Sequence, residues 1–217
     1  MVAYTPLDVL LITGLLFLWN LAIIHYVSRW FYEYFKRFEG VPAEYVGRKV
    51  VHILNGGVTA LLIPVFYDGY YWVVTVSAFL LAGYIYFRRR WKLMYWFQVS
   101  DNAYEVHFAL AYGATLMIGV ILGDIWVGLI PMLFMSFGDS VTGLVRAFTQ
   151  RKRVKSWDGT VAMFIVCSII GFWRIGWYGV LMGVVVSLVE KIPKIDDNIT
   201  VPIVAAALVY FKKFLLQ

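Results

Sequence analysis

A single integral membrane domain over residues 1–217, an all-α bundle of about eight transmembrane helices with both termini outside, is the fold class this sequence predicts. Three observations predict it. Hydrophobic residues make up 62% of the chain and charged ones 15%, with a mean hydropathy of +0.76, which leaves too little polar surface for a water-soluble domain. Eight apolar segments can be marked, at roughly 8–28, 50–67, 70–87, 104–122, 125–146, 160–174, 177–190 and 199–215. Finally, 16 of the 19 Lys and Arg fall in the loops after the first, third, fifth and seventh segments, which puts those loops on the cytoplasmic face. No internal repeat, low-complexity tract or second domain interrupts the pattern.

Each segment carries its own signal. The first opens on Asp8 with no Lys or Arg ahead of it, the wrong flank for a secretory signal, so it is read as a retained span. The third ends in Arg88, Arg89, Arg90 and Lys92, an anchor for anionic lipid heads. The fourth follows Asp101, Asn102 and Glu105, a capped helix start whose acids lie beside that basic cluster. The sixth and seventh are short, and about 14 or 15 residues span only about 21 Å, so they must tilt little or end in protein-lined clefts. Gly179 and Gly183 in the seventh are spaced for close helix approach. Tyr67, Tyr70, Tyr71, Trp72, Trp126, Trp173, Trp177 and Tyr178 form an outer aromatic belt, and Trp30, Trp91, Trp96 and Trp157 an inner one. Cys167 is the sole cysteine, so no intramolecular disulfide can form, and it is read as a small buried hydrophobe. His25 and His107 are read as structural.

Chemistry is expected where polar residues enter the membrane from the cytoplasmic side, because an ionisable group there costs about 2.5–3.5 kcal/mol even on lenient scales. Asp139 lies about 14 residues into the fifth segment, hence about 21 Å from its outer end. It is expected to bind a metal, or else to pair with Arg146 two turns on. Gly123-Asp124 has the same spelling but no basic neighbour in the chain, and serves as a control. Thr142 and Gly143 make a small, polar face leading to Arg146. The loop beyond holds Arg151, Lys152, Arg153 and Lys155, and then Ser156, Gly159 and Thr160 at the start of the sixth segment; the cations, the backbone N–H groups and the helix dipole suit a nucleoside triphosphate. Asp158 is read as a helix cap, not as catalytic. Glu190, Asp196, Asp197 and Asn198 bring four oxygen-bearing side chains to one cytoplasmic turn, a set suited to Mg²⁺, although Asp197 or Asn198 can also cap the last helix ahead of Pro202. Arg48, His52 and Asn55 share one helical face, with Lys49 beside them, and can reach a phosphate or a lipid hydroxyl. Asn198-Ile199-Thr200 spells a glycosylation sequon, but on the inner side it stays unmodified.

The motifs RKVVH (48–52), GDSVTGLVR (138–146), KSWDGTVAMF (155–164) and EKIPKIDDNITVP (190–202), in this order among these segments, resemble the polyprenol kinase family that includes dolichol kinase and phytol kinase. The resemblance covers the chain from about residue 48 onward. It implies a CTP-dependent, Mg²⁺-dependent enzyme that phosphorylates the hydroxyl of an isoprenoid alcohol such as dolichol, phytol or geranylgeraniol. It also implies nucleotide and metal work for Gly138, Asp139, Arg146, Lys155, Ser156, Gly159, Glu190, Asp197 and Asn198. One departure is that the loop from Arg146 to Lys155 is short and holds no glycine. Arg48 and Lys49 join the nucleotide set. Asp139, Glu190 and His52 stand as alternative general bases, and Asp139, Glu190, Asp197 and Asn198 as the metal set. A cytidylyltransferase making a CDP-lipid and a lipid transporter are the rival readings. The expected partners are membrane lipids, the alcohol and the nucleotide; a homodimer is allowed and no nucleic acid is expected. The expected location is the cell membrane of a prokaryote or the endoplasmic reticulum of a eukaryote, with the active site on the cytoplasmic side.

Overall fold

In the chain's computed structural model, residues 4–152, 154–192 and 196–215 are described. They form α1 (Pro6–Phe35), α2 (Ala43–Phe66), α3 (Tyr71–Trp91), α4 (Tyr104–Ile121), α5 (Trp126–Thr149), α6 (Trp157–Ile175), α7 (Trp177–Glu190) and α8 (Asp197–Leu215). Every predicted segment is a helix, and the first six are long and apolar enough to cross a membrane by length and composition. The second helix starts at Ala43, seven residues ahead of its apolar segment, and two further expectations of length are corrected. The first helix runs on to Phe35, and the sixth is 19 residues long because Trp157, Asp158 and Gly159 already lie in its first turn.

The order of burial places the site. α5 is the axial helix, 83% of its apolar window lying inside the protein, while α1 and α3 are peripheral at 17% and 22%. α2, α4, α6 and α8 pack around α5, and α7 closes against α6. The α6–α7 hairpin is tight because Gly171 and Gly179 meet backbone to backbone; a Cβ on Gly179 would stand 2.1 Å from the Gly171 carbonyl carbon, and one on Gly183 would strike Ser168. This matches the spacing expected of Gly179 and Gly183.

Three helices contain a π-helical turn, at Ile23–Val27, His52–Gly57 and Phe134–Asp139, a feature that hydropathy does not reveal. Each turn inserts one residue into the helical repeat, so its side chains rotate off the expected face. The loosened carbonyls find other donors. The Trp96 indole donates to the Ile24 carbonyl at 2.8 Å, and the Tyr112 hydroxyl to that of Gly56 at 3.1 Å. Trp96 is therefore buried in the 92–103 connection instead of lying in an interfacial belt, and Tyr67, only 1% exposed, is likewise a core residue, hydrogen-bonded to Thr13. Trp30, Trp72, Trp91, Trp157, Trp173 and Trp177 are exposed, as expected of belt residues.

At the basic end of the bundle the loops touch one another. Arg151 packs on Gly40 and donates to the Glu39 carbonyl, and Lys155 reaches Glu190 and Asp197. At the opposite end Asp124 accepts from Lys213 at 2.5 Å, so the control aspartate does have a basic neighbour, contributed from 89 residues away.

Candidate functional site: a buried carboxylate and cation cluster

The last turn of the π-helical stretch in α5 delivers Asp139 into the interior, where it is 3% exposed. Its partner is not Arg146. Lys49 of α2 donates to Asp139 Oδ2 at 2.5 Å, and His52 Nδ1 lies 3.4 Å from the same oxygen. The approach is possible because Gly143 lacks a side chain, since a Cβ there would stand 2.2 Å from Lys49 Cε. The small face at Thr142 and Gly143 thus admits a lysine. His52 stacks on Phe108 with ring centroids 3.9 Å apart, which fixes its plane.

Arg146, one helical face further along α5, reaches Glu190 at the end of α7 in a two-pronged pair, with N–O distances of 2.7 and 3.0 Å. It also donates to the Ser156 carbonyl at 3.1 Å. Gly159 is required here, since a Cβ would fall 2.2 Å from Arg146 Nε. Lys155 Nζ contacts Glu190 Oε1 at 2.7 Å, the Glu190 carbonyl at 2.5 Å and Asp197 Oδ1 at 2.5 Å. Burial opposes charge on Lys155, but the carboxylates of Asp197 and Glu190 outweigh it and hold its ammonium above the usual lysine range. Three carboxylates thus interleave with three cations, and one oxygen from each of Asp139, Glu190 and Asp197 lies within 4.8 Å of the others.

This donor set fits a hard divalent cation. The ligands are all carboxylate oxygens, they come from three helices, and a modest contraction brings them to one ion. Lys155 already places a positive charge against two of them. Asn198 Oδ1 is buried beside Asp197 without a partner among the described residues.

Several predicted residues lie elsewhere. Asp196 leaves the acidic set: it accepts from the Asn198 N–H at 3.0 Å and stands 2.5 Å from His107 Nδ1, so it, and not Asp197 or Asn198, caps α8. Gly138 is a packing glycine, where a Cβ would strike Cys167 Sγ at 2.5 Å. Arg151 adopts a positive φ of 51° and turns outward to the 36–42 loop, and Lys152 is exposed. Arg153 lies outside the described residues. Of the basic run, Lys155 alone among the described residues enters the cluster. Thr160 stays near it, its hydroxyl 3.4 Å from Arg146. The N-cap position of α6 is Ser156, not Asp158, whose carboxylate instead accepts from Thr149 and Gln150. Asp101 and Asn102 do not cap α4; Glu105 pairs with Arg89 at 2.9 Å.

Two cavities adjoin the cluster. A polar cleft of about 270 Å³ at the basic end is lined by Tyr45, Arg146, Val154, Lys155 and Asp197. An apolar slot, narrower at about 90 Å³ by the same measure, runs between α1, α2, α3 and α4 from Arg48, His52 and Glu105 to Tyr67. α2 is the wall between them: Tyr45 faces the cleft, Lys49 holds Asp139, and Arg48 and His52 face the slot. Tyr45 and Val154 carried no signal in the sequence.

Fold and site together define an all-helical chain, with six helices of membrane-spanning length and apolarity, built around a buried cluster of carboxylates and cations. Comparison with protein-family models, with curated proteins and with solved structures gives no match.

Proposed function

We propose that this protein transfers the γ-phosphoryl group of CTP to the hydroxyl of an isoprenoid alcohol dissolved in the membrane, as a polyprenol kinase does. The observation that carries this reading is the meeting of two unlike cavities at one carboxylate. Asp139 lies within 4.8 Å of the Asp197 oxygen beside the polar cleft and 3.4 Å from His52, which lines the apolar slot. A charged donor and a hydrocarbon acceptor need such adjoining compartments, because neither can be dissolved in the other's. CTP as donor rests on the motif resemblance described above.

Phosphoryl transfer is mostly positioning and charge neutralisation. Mg²⁺, when held by Asp139, Glu190 and Asp197, would supply charge neutralisation across the triphosphate. Arg146 and Lys155, which line the polar cleft beside those carboxylates, are the cations placed to take the phosphate oxygens. Lys49 stays beside Asp139 and keeps the α2–α5 contact in register. His52 Nδ1 stands 3.4 Å from Asp139 Oδ2, and neither ring nitrogen has a hydrogen-bond partner among the described residues; with the proton on Nδ1, the tautomer the carboxylate favours, Nε2 is left to accept the hydroxyl proton. The alcohol oxygen forms its bond to the γ-phosphorus as the bridging bond to the β-phosphate breaks, and CDP leaves through the cleft. His52 is thus favoured over Asp139 and Glu190 as the base, since both carboxylates already face cations.

The test is product analysis with CTP labelled at the α or γ position. Label reaching the lipid from the γ position is expected; label from the α position would mean a cytidylyltransferase, and label from neither would remove the enzyme reading. Sidedness has its own test. In a Cys167→Ala background, which removes a fully buried thiol, a cysteine at exposed position 152 is expected to react only from the cytoplasm and one at 68 only from outside. Labelling of position 152 from outside intact cells would reverse the orientation and place the cleft on the wrong face for cellular CTP.

A further inference from the structure

We infer that the slot is entered sideways, through a gap between the outer half of α1 and the middle of α3, and holds the first few isoprene units of the acceptor with its hydroxyl at His52. This rests on the phosphotransferase reading for the acceptor's chemistry, but the slot stands on its own geometry.

Three observations carry it. First, Leu16 and Phe17 of α1 and Ala78 and Leu81 of α3 line opposite sides of the slot, yet these stretches scarcely touch each other, and both helices are largely exposed. The gap has a sill at the basic end, where His25 Nε2 and the Tyr84 hydroxyl meet at 2.8 Å, and a head at the far end, where Thr13 bonds the Tyr67 hydroxyl at 2.9 Å. Between them no hydrogen bond among the described residues joins α1 to α3. Second, the walls are apolar but carry buried polar atoms with nothing to bond among the described residues: His52 Nε2, Asn55 Oδ1 and Thr59 Oγ1, on residues 1%, 6% and 8% exposed. Polar groups buried without partners are destabilising, and His52 and Asn55 stand together at one end of the cavity with Thr59 about two turns further on, so a ligand hydroxyl at the His52 end satisfies part of what the fold leaves open. Third, Arg48, His52 and Asn55 all line this cavity, and the π-helical turn that starts at His52 brings Gly56 and Thr59 into the same lining.

The slot's length sets what it holds. From His52 to Tyr67 is about 20 Å along α2, and an isoprene unit of four main-chain bonds, each about 1.5 Å, spans about 4–5 Å. About four units therefore lie within the protein, and any longer tail leaves through the gap into lipid. Since bilayer and slot are equally apolar, added units bring little affinity. The slot places the hydroxyl; it does not measure the chain.

The experiment is photolabelling of the protein in lipid nanodiscs with a C20 prenol carrying a diazirine at its tail, followed by peptide mapping, with no nucleotide present. Adducts are expected on residues 13–20 and 74–85, to be competed by geranylgeraniol, to vanish in Ala78→Trp, which fills the gap, and to persist in Leu80→Trp, which points away and is 67% exposed. Adducts spread over the outer faces of α6 and α7, or unaffected by Ala78→Trp, would overturn the slot. In turnover, KM for C20 and C55 prenols is expected to agree within about threefold and to rise about tenfold in Ala78→Trp, while dimethylallyl alcohol, confined to the His52 end, is unaffected. Rejection of C55 by the unaltered protein would overturn the open gap. Specific labelling without phosphorylation of any prenol would instead keep the slot and remove the kinase reading.

Discussion

Asp139→Asn is expected to lower turnover by about a thousandfold, because under the proposed reaction it withdraws one of three carboxylates from the ion that neutralises the triphosphate, worth several kcal/mol in the transition state. The structure adds a second consequence. Asp139 is the counter-charge of Lys49, whose side chain is 4% exposed, so the amide leaves a buried ammonium unpaired, at about 3 kcal/mol of stability. The two effects separate in the double variant with Lys49→Met, which is expected to regain the melting temperature in detergent but not the activity. Near-normal rates for Asp139→Asn at saturating Mg²⁺ would leave Asp139 with a structural role only. Asp124→Asn, which loses only its partly exposed pair with Lys213, should change turnover little.

Glu190→Gln is expected to be the most damaging single change to the fold. Its carboxylate is fully buried and faces both Arg146 and Lys155, and removing one member of a buried ion-pair network costs about 3–5 kcal/mol because the remaining charges stay uncompensated. Here Arg146, at 2% exposure, loses its carboxylate partner, while Lys155 keeps Asp197. Thermal unfolding in detergent measures the loss. Adding Arg146→Met to Glu190→Gln should restore much of the stability without activity. If Glu190→Gln alone unfolds at the temperature of the unaltered protein, the Glu190 carboxylate is not holding the α5–α7 contact.

Much of this site was legible along the chain, for a physical reason. A carboxylate within an apolar helix is costly enough that Asp139, Glu190 and Asp197 announce themselves, and the three do converge. Their cationic partners were not legible. Asp139 is seven residues from Arg146, near enough on α5 to suggest a pair, but the π-helical turn that ends at Asp139 directs it to Lys49, 90 residues away. The run 151–155 suggested a wall of cations about the triphosphate. The left-handed turn at Arg151 sends that side chain to the neighbouring loop, and Lys155 is drawn inward by two carboxylates. Glycines misled in a consistent way. Gly138 and Gly159, given nucleotide work by the resemblance, and Gly143, on the small face of α5, each make room for a side chain of the protein itself.

Composition and spacing by themselves determined that this chain is a helical bundle suited to a membrane, where seven of its eight helices begin to within three residues, and which carboxylates are out of place in lipid; the second helix starts seven residues ahead of its apolar segment. Those features depend on local apolarity and local charge, which can be read from neighbours in the chain. Only the tertiary structure decided which cation faces which carboxylate, that His52 stands between a polar cleft and an apolar slot, and that α1 and α3 leave that slot open at the side. Such features depend on the rotation of one helix against another, and a single extra residue in a turn at His52–Gly57 or Phe134–Asp139 shifts that rotation by about 100° without altering the hydropathy of the segment.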